Sequence, residues 1–361
     1  MFRSIASLAF LIPSLAAAAV PRGLIPGGVP LEDVICVTTP TELGTALLYT
    51  MADGLANEIR VAAGTYPALS IFVNDQKSLL LSGGWIEENG VPCARQLPAA
   101  DLTVFDAQAK NHAALLTTST PSPDAQELTL ANLSIRNGTS PVTSADQIGG
   151  AGLALVYSDP AFAGRTRIVN VILGGNRTIG IGGAITLFGP HSGEVTLDNV
   201  LARDNSASRG AGFWTDMSNV AITVRQSTFT LNVCSWAPPR GCSIDAMGNG
   251  AAIDIANSLF WSNSDADVGA LGPASLAVRD SDVDTFAQGT VPTVSANLLH
   301  ASPGFNVLGG PLIAADSALA NAANPAAAVS AYDLAGNLRT IGAAPDIGAY
   351  ETDLLFRAGN D

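Results

Sequence analysis

The chain has 361 residues, 31 acidic against 17 basic side chains, a net charge of −14 and a pI near 4.5. That balance excludes nucleic acid as a partner, because phosphate binding needs a basic footprint. It also repels a polyanionic polysaccharide unless a cation bridges the two.

In chain order, residues 1–19 read as an export signal. Arg3 gives the positive start, Ile5 to Leu15 is an apolar run too short to span a bilayer, and Ala16 to Ala19 offer small residues for cleavage near Ala18 or Ala19. The destination is then secretion, the periplasm or the cell surface. No later run is long and apolar enough for a transmembrane helix, so none is expected after signal cleavage.

Residues 20–57 form an entry segment. Thr39-Pro40-Thr41-Glu42 has the form of a capping box with proline at the first helical position. Leu43, Leu47, Met51 and Leu55 follow at helical spacing, which predicts a helix from about Thr41 to Ala56. A four-cysteine chain in an oxidising compartment has three pairings open to it. The spacing favours Cys234 with Cys242 and Cys36 with Cys93; free thiols are the alternative, and no zinc pattern is matched.

Strand signals begin at Glu58 to Ala62 and Gly64 to Tyr66, and continue at Leu79 to Trp85, Ala113 to Thr117 and Leu128 to Ile135. Four blocks then repeat, aligned on Asn176, Asn205, Asn232 and Asn263. Six residues earlier stands an amide in each: Asn170, Asn199, Gln226 and Asn257. Eight residues earlier stand Ile168, Leu197, Val224 and Ile255, and ten earlier Thr166, Val195, Ile222 and Ile253. Apolar positions two apart mean strands, and a repeat of just under ~30 residues marks a solenoid. The fold expected for 58–310 is an all-β, right-handed, single-stranded parallel β-helix, with the terminal helix as its lid. About ten coils at ~4.8 Å each give a rod of about 45–50 Å. The column Asn170, Asn199, Gln226, Asn257 is expected to face inward as a structural amide ladder, each side chain donating to the next. Such a rod is expected to be a monomer.

The segment Asn232 to Gly248 breaks the rhythm with a two-proline loop, either a functional protrusion or a tolerated insertion. Residues 311–361 are alanine-rich and then read turn, strand, turn, strand, as expected of a C-terminal cap folding back over the last coil.

Several residues could carry chemistry. In the outward columns, Asp198 and Arg225 fall one above the other on adjacent coils, with Asp254 nearby. Two carboxylates in one groove are what sugar hydrolysis requires, and cross-strand charge pairs are the structural alternative. Asp280, Asp282 and Asp284 alternate along one strand beside Arg279, which would suit calcium ligation next to a proton-accepting arginine, or an edge strand protected by charge. Calcium is the one cofactor this pattern admits, and none other is expected. Phe213-Trp214 and Phe260-Trp261 are adjacent aromatic pairs. With the phenylalanines in the core, Trp214 and Trp261 face solvent, and Trp236 joins them if its loop folds over that face. Exposed indoles can stack on sugar rings or a partner chain. No Gly-x-Ser-x-Gly element and no phosphate-binding glycine loop is present.

Asp333-Leu334-Ala335-Gly336-Asn337-Leu338-Arg339 and Asp346-Ile347-Gly348-Ala349-Tyr350-Glu351 resemble the closing module of bacterial secreted β-helix proteins of the choice-of-anchor Q family. Gly64-Thr65-Tyr66 and Gly83-Gly84-Trp85 resemble that family's entry. Gly182-Gly183-Ala184-Ile185, Phe229 to Asn232 and Phe260 to Asn263 are similar to repeats of polymorphic outer-membrane proteins, which are surface adhesins. The resemblance implies a β-helix of pectin-lyase-like fold. It also implies an exported, non-catalytic binding module for a polysaccharide, a cell-surface glycan or a surface protein. It does not imply the attachment, because Thr352 to Asp361 contain no apolar helix. The competing class is a carbohydrate-active enzyme, a polysaccharide lyase or glycoside hydrolase acting in a groove along the rod.

Overall fold

The computed structural model describes residues 33–50, 56–73, 78–118, 127–157, 164–189, 193–236, 240–270, 275–305 and 311–352. The expected export signal and the residues after 352 lie outside them.

Alternation of apolar side chains, two residues apart, sets the architecture. Ile168, Leu197, Val224 and Ile255 are fully buried and stack in register, as do Val195, Ile222 and Ile253 with Thr166. Each successive strand pairs in parallel with the one before. The ladder runs from Asp33–Val37 through Asn57–Ala62, Leu79–Glu88, Glu127–Arg136, Arg165–Gly174, Glu194–Arg203, Ala221–Arg225, Ala252–Ala256 and Ser275–Asp282 to Val294–Leu299. Opposite it, a second parallel sheet stacks seven strands from Leu69–Val73 to Val268–Ala270. The chain is a right-handed parallel β-helix, as the repeat predicts. The core lies between the two sheets, with Ile185, Leu187, Phe213 and Ile244 meeting the first sheet's aliphatic columns, and Phe229 stacked on Phe260 at 5.0 Å.

The lid helix runs Pro40–Thr50. Its capping box is formed, with Glu42 N–H donating to Thr39 Oγ1 at 3.2 Å and Thr39 N–H to Glu42 Oε2 at 3.1 Å. Ala56, the expected end, is not helical, and residues 51–55 lie outside the described set. Both expected disulfides are present, Cys36–Cys93 and Cys234–Cys242.

The continuous side-chain ladder forms in a different column from the one expected to carry it. Asn176, Asn205, Asn232 and Asn263 make the continuous ladder. Each Nδ2 donates to the next Oδ1 at 3.0 to 3.1 Å, and to a strand carbonyl behind it. The other column marks the bend of each coil. Asn132, Asn170, Asn199, Gln226, Asn257, Asp280 and Asn297 all adopt φ of 47° to 56°. Short polar side chains tolerate that left-handed conformation best, which is why amides recur there. Its ladder is complete only from Asn132 through Asn170 to Asn199, at 2.5 and 2.7 Å. Beyond that point the amides serve a different segment.

That segment is the C-terminal region, which folds back as expected but without the strands expected in it. Ile313 and Leu319 pack beside Leu299 and Ala301 at the end of the last coil. The residues that follow run back along the flank of the solenoid as a strap. Asn324 pairs with Asn257, Val329 N–H donates to Gln226 Oε1 at 2.9 Å, Asn199 Nδ2 donates to the carbonyl of Tyr332 at 3.1 Å, and Leu334 reaches Ala100 at the first coils. Outward apolar residues Ile172, Leu201 and Leu259 are buried beneath Leu334, Ala349 and Ile347. The two motifs Asp333 to Arg339 and Asp346 to Glu351 tie this strap. Asp333 carboxylate accepts from the N–H groups of Ala335, Asn337 and Glu351 at 2.7 to 3.0 Å, and buried Arg339 pairs with Glu351 at 3.5 Å.

Candidate functional site

Three groups of residues bear on function. The first is a line of charge on the outer face of the first sheet. Register stacks Asp198 on Arg225, as expected, and Arg225 Nη2 reaches Asp254 Oδ2 at 2.6 Å. Arg279 Nη1 takes the other oxygen of Asp254 at 2.5 Å, and Arg167 faces Glu127 at 3.4 Å. Asp254 is thus held by two guanidinium groups. Asp198 is 5% exposed, and burial pushes its carboxyl up to about 6 against the pull of Arg167 and Arg225. The line has the form of cross-strand pairing, and Asp198 is its one carboxylate without a direct ion pair.

The second group corrects the expectation of three aspartates on one face. Asp280 occupies the left-handed bend and accepts from Asn297 Nδ2 at 2.7 Å and Asn324 Nδ2 at 3.2 Å. That φ breaks the alternation. Asp282 is buried in register with Leu259, where Ala301 N–H donates to its Oδ1 at 3.1 Å, and Asp284 is exposed beyond the strand. Among the described residues no three His, Cys, Asp or Glu side chains come together to hold a metal ion. Arg279 is turned away to Asp254.

Asp284 instead borders a groove of about 540 Å³, lined chiefly by Trp261, Asn263, Asp265, Asp267, Asp284 and Thr285. It opens where the asparagine ladder stops. Asn263 Nδ2, with no further asparagine to meet, donates to Asp267 Oδ1 at 3.1 Å. The other oxygen of Asp267 accepts from the N–H groups of Asp284 and Thr285 at 3.1 and 3.2 Å. Burial raises the Asp267 carboxyl. Behind it, burial lifts Asp282 to about 7, reinforced by Asp284 and Asp267 and opposed by the Ala301 N–H and His300. His300 Nδ1 lies 3.4 Å from Asp284 Oδ1 at the rim. The groove offers one indole, hydroxyls, an amide and carboxylates.

The third group is the tryptophans, which do not share a face. Trp261 is half-buried on the first sheet, packed against the strap cluster and walling the groove. Trp214 was expected in solvent but is 2% exposed. It points outward from the second sheet, yet glycine turns lie over it. A Cβ on Gly210 would come within 2.7 Å of Trp214 Cβ. Trp236, half-buried, joins Trp214 through Arg209, whose guanidinium lies 5.7 and 5.9 Å from the two rings. Sequence reasoning passed over Arg209 and its partner Asp245. The available signal was Asp245 itself, a carboxylate in register with an outward tryptophan.

No family model matches the chain, and no curated protein matches it. Two crystal structures of pectin methylesterase from Aspergillus niger are similar over much of the length. One, in a penultimately deglycosylated form, has 16% identity and a TM-score of 0.22, covering 64% of this chain and 86% of that one. The other, in a deglycosylated form, has 14% identity and a TM-score of 0.22, covering 74% of this chain and 90% of that one. At such scores neither carries an argument about this chain. No helix among the described residues is long and apolar enough to cross a membrane.

Proposed function

We propose that this chain is an exported, non-catalytic β-helix protein of the choice-of-anchor Q type. In this reading it binds a polysaccharide or cell-surface glycan in the groove beside Trp261. The observation that supports the reading is the groove's lining. A half-buried indole and a row of hydrogen-bonding carboxyl, amide and hydroxyl groups in about 540 Å³ suit the two surfaces of a sugar ring, apolar face and hydroxyl edge. The carboxylates disfavour a uronic-acid polymer and favour a neutral or cationic glycan. Two disulfides agree with an oxidising compartment. Glycan-array binding of the wild type against Trp261→Ala tests the proposal. A loss of about tenfold or more in Trp261→Ala supports it, and unchanged binding removes it.

An enzymatic reading has one observation in its favour. A carboxyl raised to about 6, as at Asp198, is poised for proton transfer near neutrality. Screening on polysaccharides with and without calcium, watching for unsaturated or reducing-end products, tests it with Asp198→Asn as the control. No product from any substrate rules it out.

A further inference from the structure

A net charge of −14 leaves the chain short of cations, and those it has are not shared evenly among its acids. Arg60 is set against Glu58, Arg225 and Arg279 against Asp254, and Arg339 against Glu351. The groove beside Trp261 is different. Asp265, Asp267 and Asp284 line it, with no lysine or arginine among the described lining residues. His300, 3.4 Å from Asp284 at the rim, is charged only when protonated.

The carboxylates are of two kinds. Asp267, 4% exposed, is fixed in the floor, with Oδ1 accepting from Asn263 and Oδ2 from the N–H groups of Asp284 and Thr285. Behind it Asp282 is fully buried, and its Oδ2 has no hydrogen-bond partner. Burial raises both carboxyls, and the charge of Asp284 adds to the effect. Asp265 and Asp284, half-buried and exposed, stand at the opening. Buried carboxylates are ordinarily paired with a cation, and none of the lining residues supplies one.

Geometry separates two kinds of cation. Among the described residues no three His, Cys, Asp or Glu side chains converge, so a single small ion cannot gather these carboxylates. Amines spaced along a larger molecule can meet them one at a time. The rest of the lining is the indole of Trp261 and the hydroxyls of Ser262, Ser264 and Thr285, around a space of about 540 Å³. A simple amine would leave these groups unused. A sugar ring that carries an amine uses both, with its apolar face on the indole and its hydroxyls on the polar edge.

We propose that the groove is selective for an amino-sugar glycan with free primary amines. Its ammonium groups pair with Asp284 and Asp265, and a ring face lies on Trp261. The choice of a sugar rests on the glycan-binding reading. The choice of a cation rests on the unpaired carboxylates.

The test is titration calorimetry of the whole protein with glucosamine oligomers, their N-acetylated counterparts and oligolysine of the same charge, at a pH where the amines are protonated. Variants are Asp284→Asn, Asp265→Asn, Trp261→Ala and Glu88→Gln, the last removing an exposed acid on the early coils, and thermal melts establish that each is folded. The free-amine oligomer is expected to bind about tenfold or more tighter than the N-acetylated one. That advantage is expected to shrink in Asp284→Asn and Asp265→Asn, to survive in Glu88→Gln, and to fade as salt rises from about 0.01 M to about 1 M. Trp261→Ala is expected to weaken both sugars. Equal binding of the two sugars overturns the proposal and leaves the groove reading standing. An advantage lost equally in Glu88→Gln is general attraction to an acidic protein and also overturns it. Oligolysine binding as tightly as the free-amine sugar makes the occupant a basic peptide and overturns the choice of sugar. If no sugar binds the wild type, both readings fail.

Discussion

Asn257 and Asn324, 67 residues apart, clasp each other. Asn257 Nδ2 donates to the Asn324 carbonyl at 2.9 Å, and the Asn324 N–H donates to Asn257 Oδ1 at 2.8 Å. This contact fastens the C-terminal strap to the bend of a coil. It gives the left-handed column a second role, since the side chains that permit the turn also hold what lies on it.

The knot of the strap predicts the largest single-residue effect. Arg339 and Glu351 are each 2% exposed and paired at 3.5 Å. Arg339→Ala takes the guanidinium from the buried Glu351 carboxyl and the Gly348 carbonyl together. Each buried acceptor left without its donor costs about 1–3 kcal/mol. Denaturant unfolding is expected to show that loss, and limited proteolysis is expected to cut first within 311–352.

The ladder of Asn176, Asn205, Asn232 and Asn263 predicts a second loss. Asn205→Ala removes two side-chain donations, to Leu173 carbonyl and Asn232 Oδ1, and leaves the buried Asn176 backbone N–H without its acceptor. An orphaned buried group costs about 1–3 kcal/mol. Asn297→Ala, at the bend of the last strand in the stack, is expected to cost less by the same measurement.

Stability should fall as pH rises. Burial lifts Asp198 and Asp245 to about 6, Asp282 to about 7 and Glu351 to about 8. Each therefore holds its proton more tightly when folded than when unfolded. The native state binds more protons between the unfolded carboxyl range, near 4, and these raised values. The stabilisation is fully present below about pH 4 and is lost as the pH passes each folded value. Melting temperature is expected to decline from pH 5 to pH 8.5, and to decline less steeply in Asp282→Asn. A melting temperature that climbs over this range contradicts the assignment.

The two disulfides should differ in weight. Cys36–Cys93 closes 57 residues and Cys234–Cys242 only 8. The chain-entropy relation gives about 4 kcal/mol for the first and about 2.5 kcal/mol for the second. Unfolding of Cys36→Ser/Cys93→Ser and of Cys234→Ser/Cys242→Ser is expected to keep that order.

The stacked aliphatic columns, the Cys234–Cys242 disulfide and the capping box were legible in the sequence because each depends on regular or local spacing, and Cys36–Cys93 followed as the remaining pair. The sequence separates inward from outward along a strand, but outward is not the same as solvated. Trp214 points outward and is covered by glycine turns, and Ile172, Leu201 and Leu259 point outward and are covered by the strap. Those three apolar residues beside inward neighbours were the signal that a second layer exists. Asp280 was misread because alternation was carried through a residue whose φ of 47° breaks it. The groove at Trp261 was not legible, since it is made where the asparagine ladder ends and Asp267 takes the place of the next amide.

Hydrogen–deuterium exchange with a bound neutral oligosaccharide tests the central claim most directly. Glycan binding beside Trp261 predicts new protection over residues 261–267 and at 284–285, where the groove is lined. Saturating ligand with exchange unchanged across those residues contradicts it.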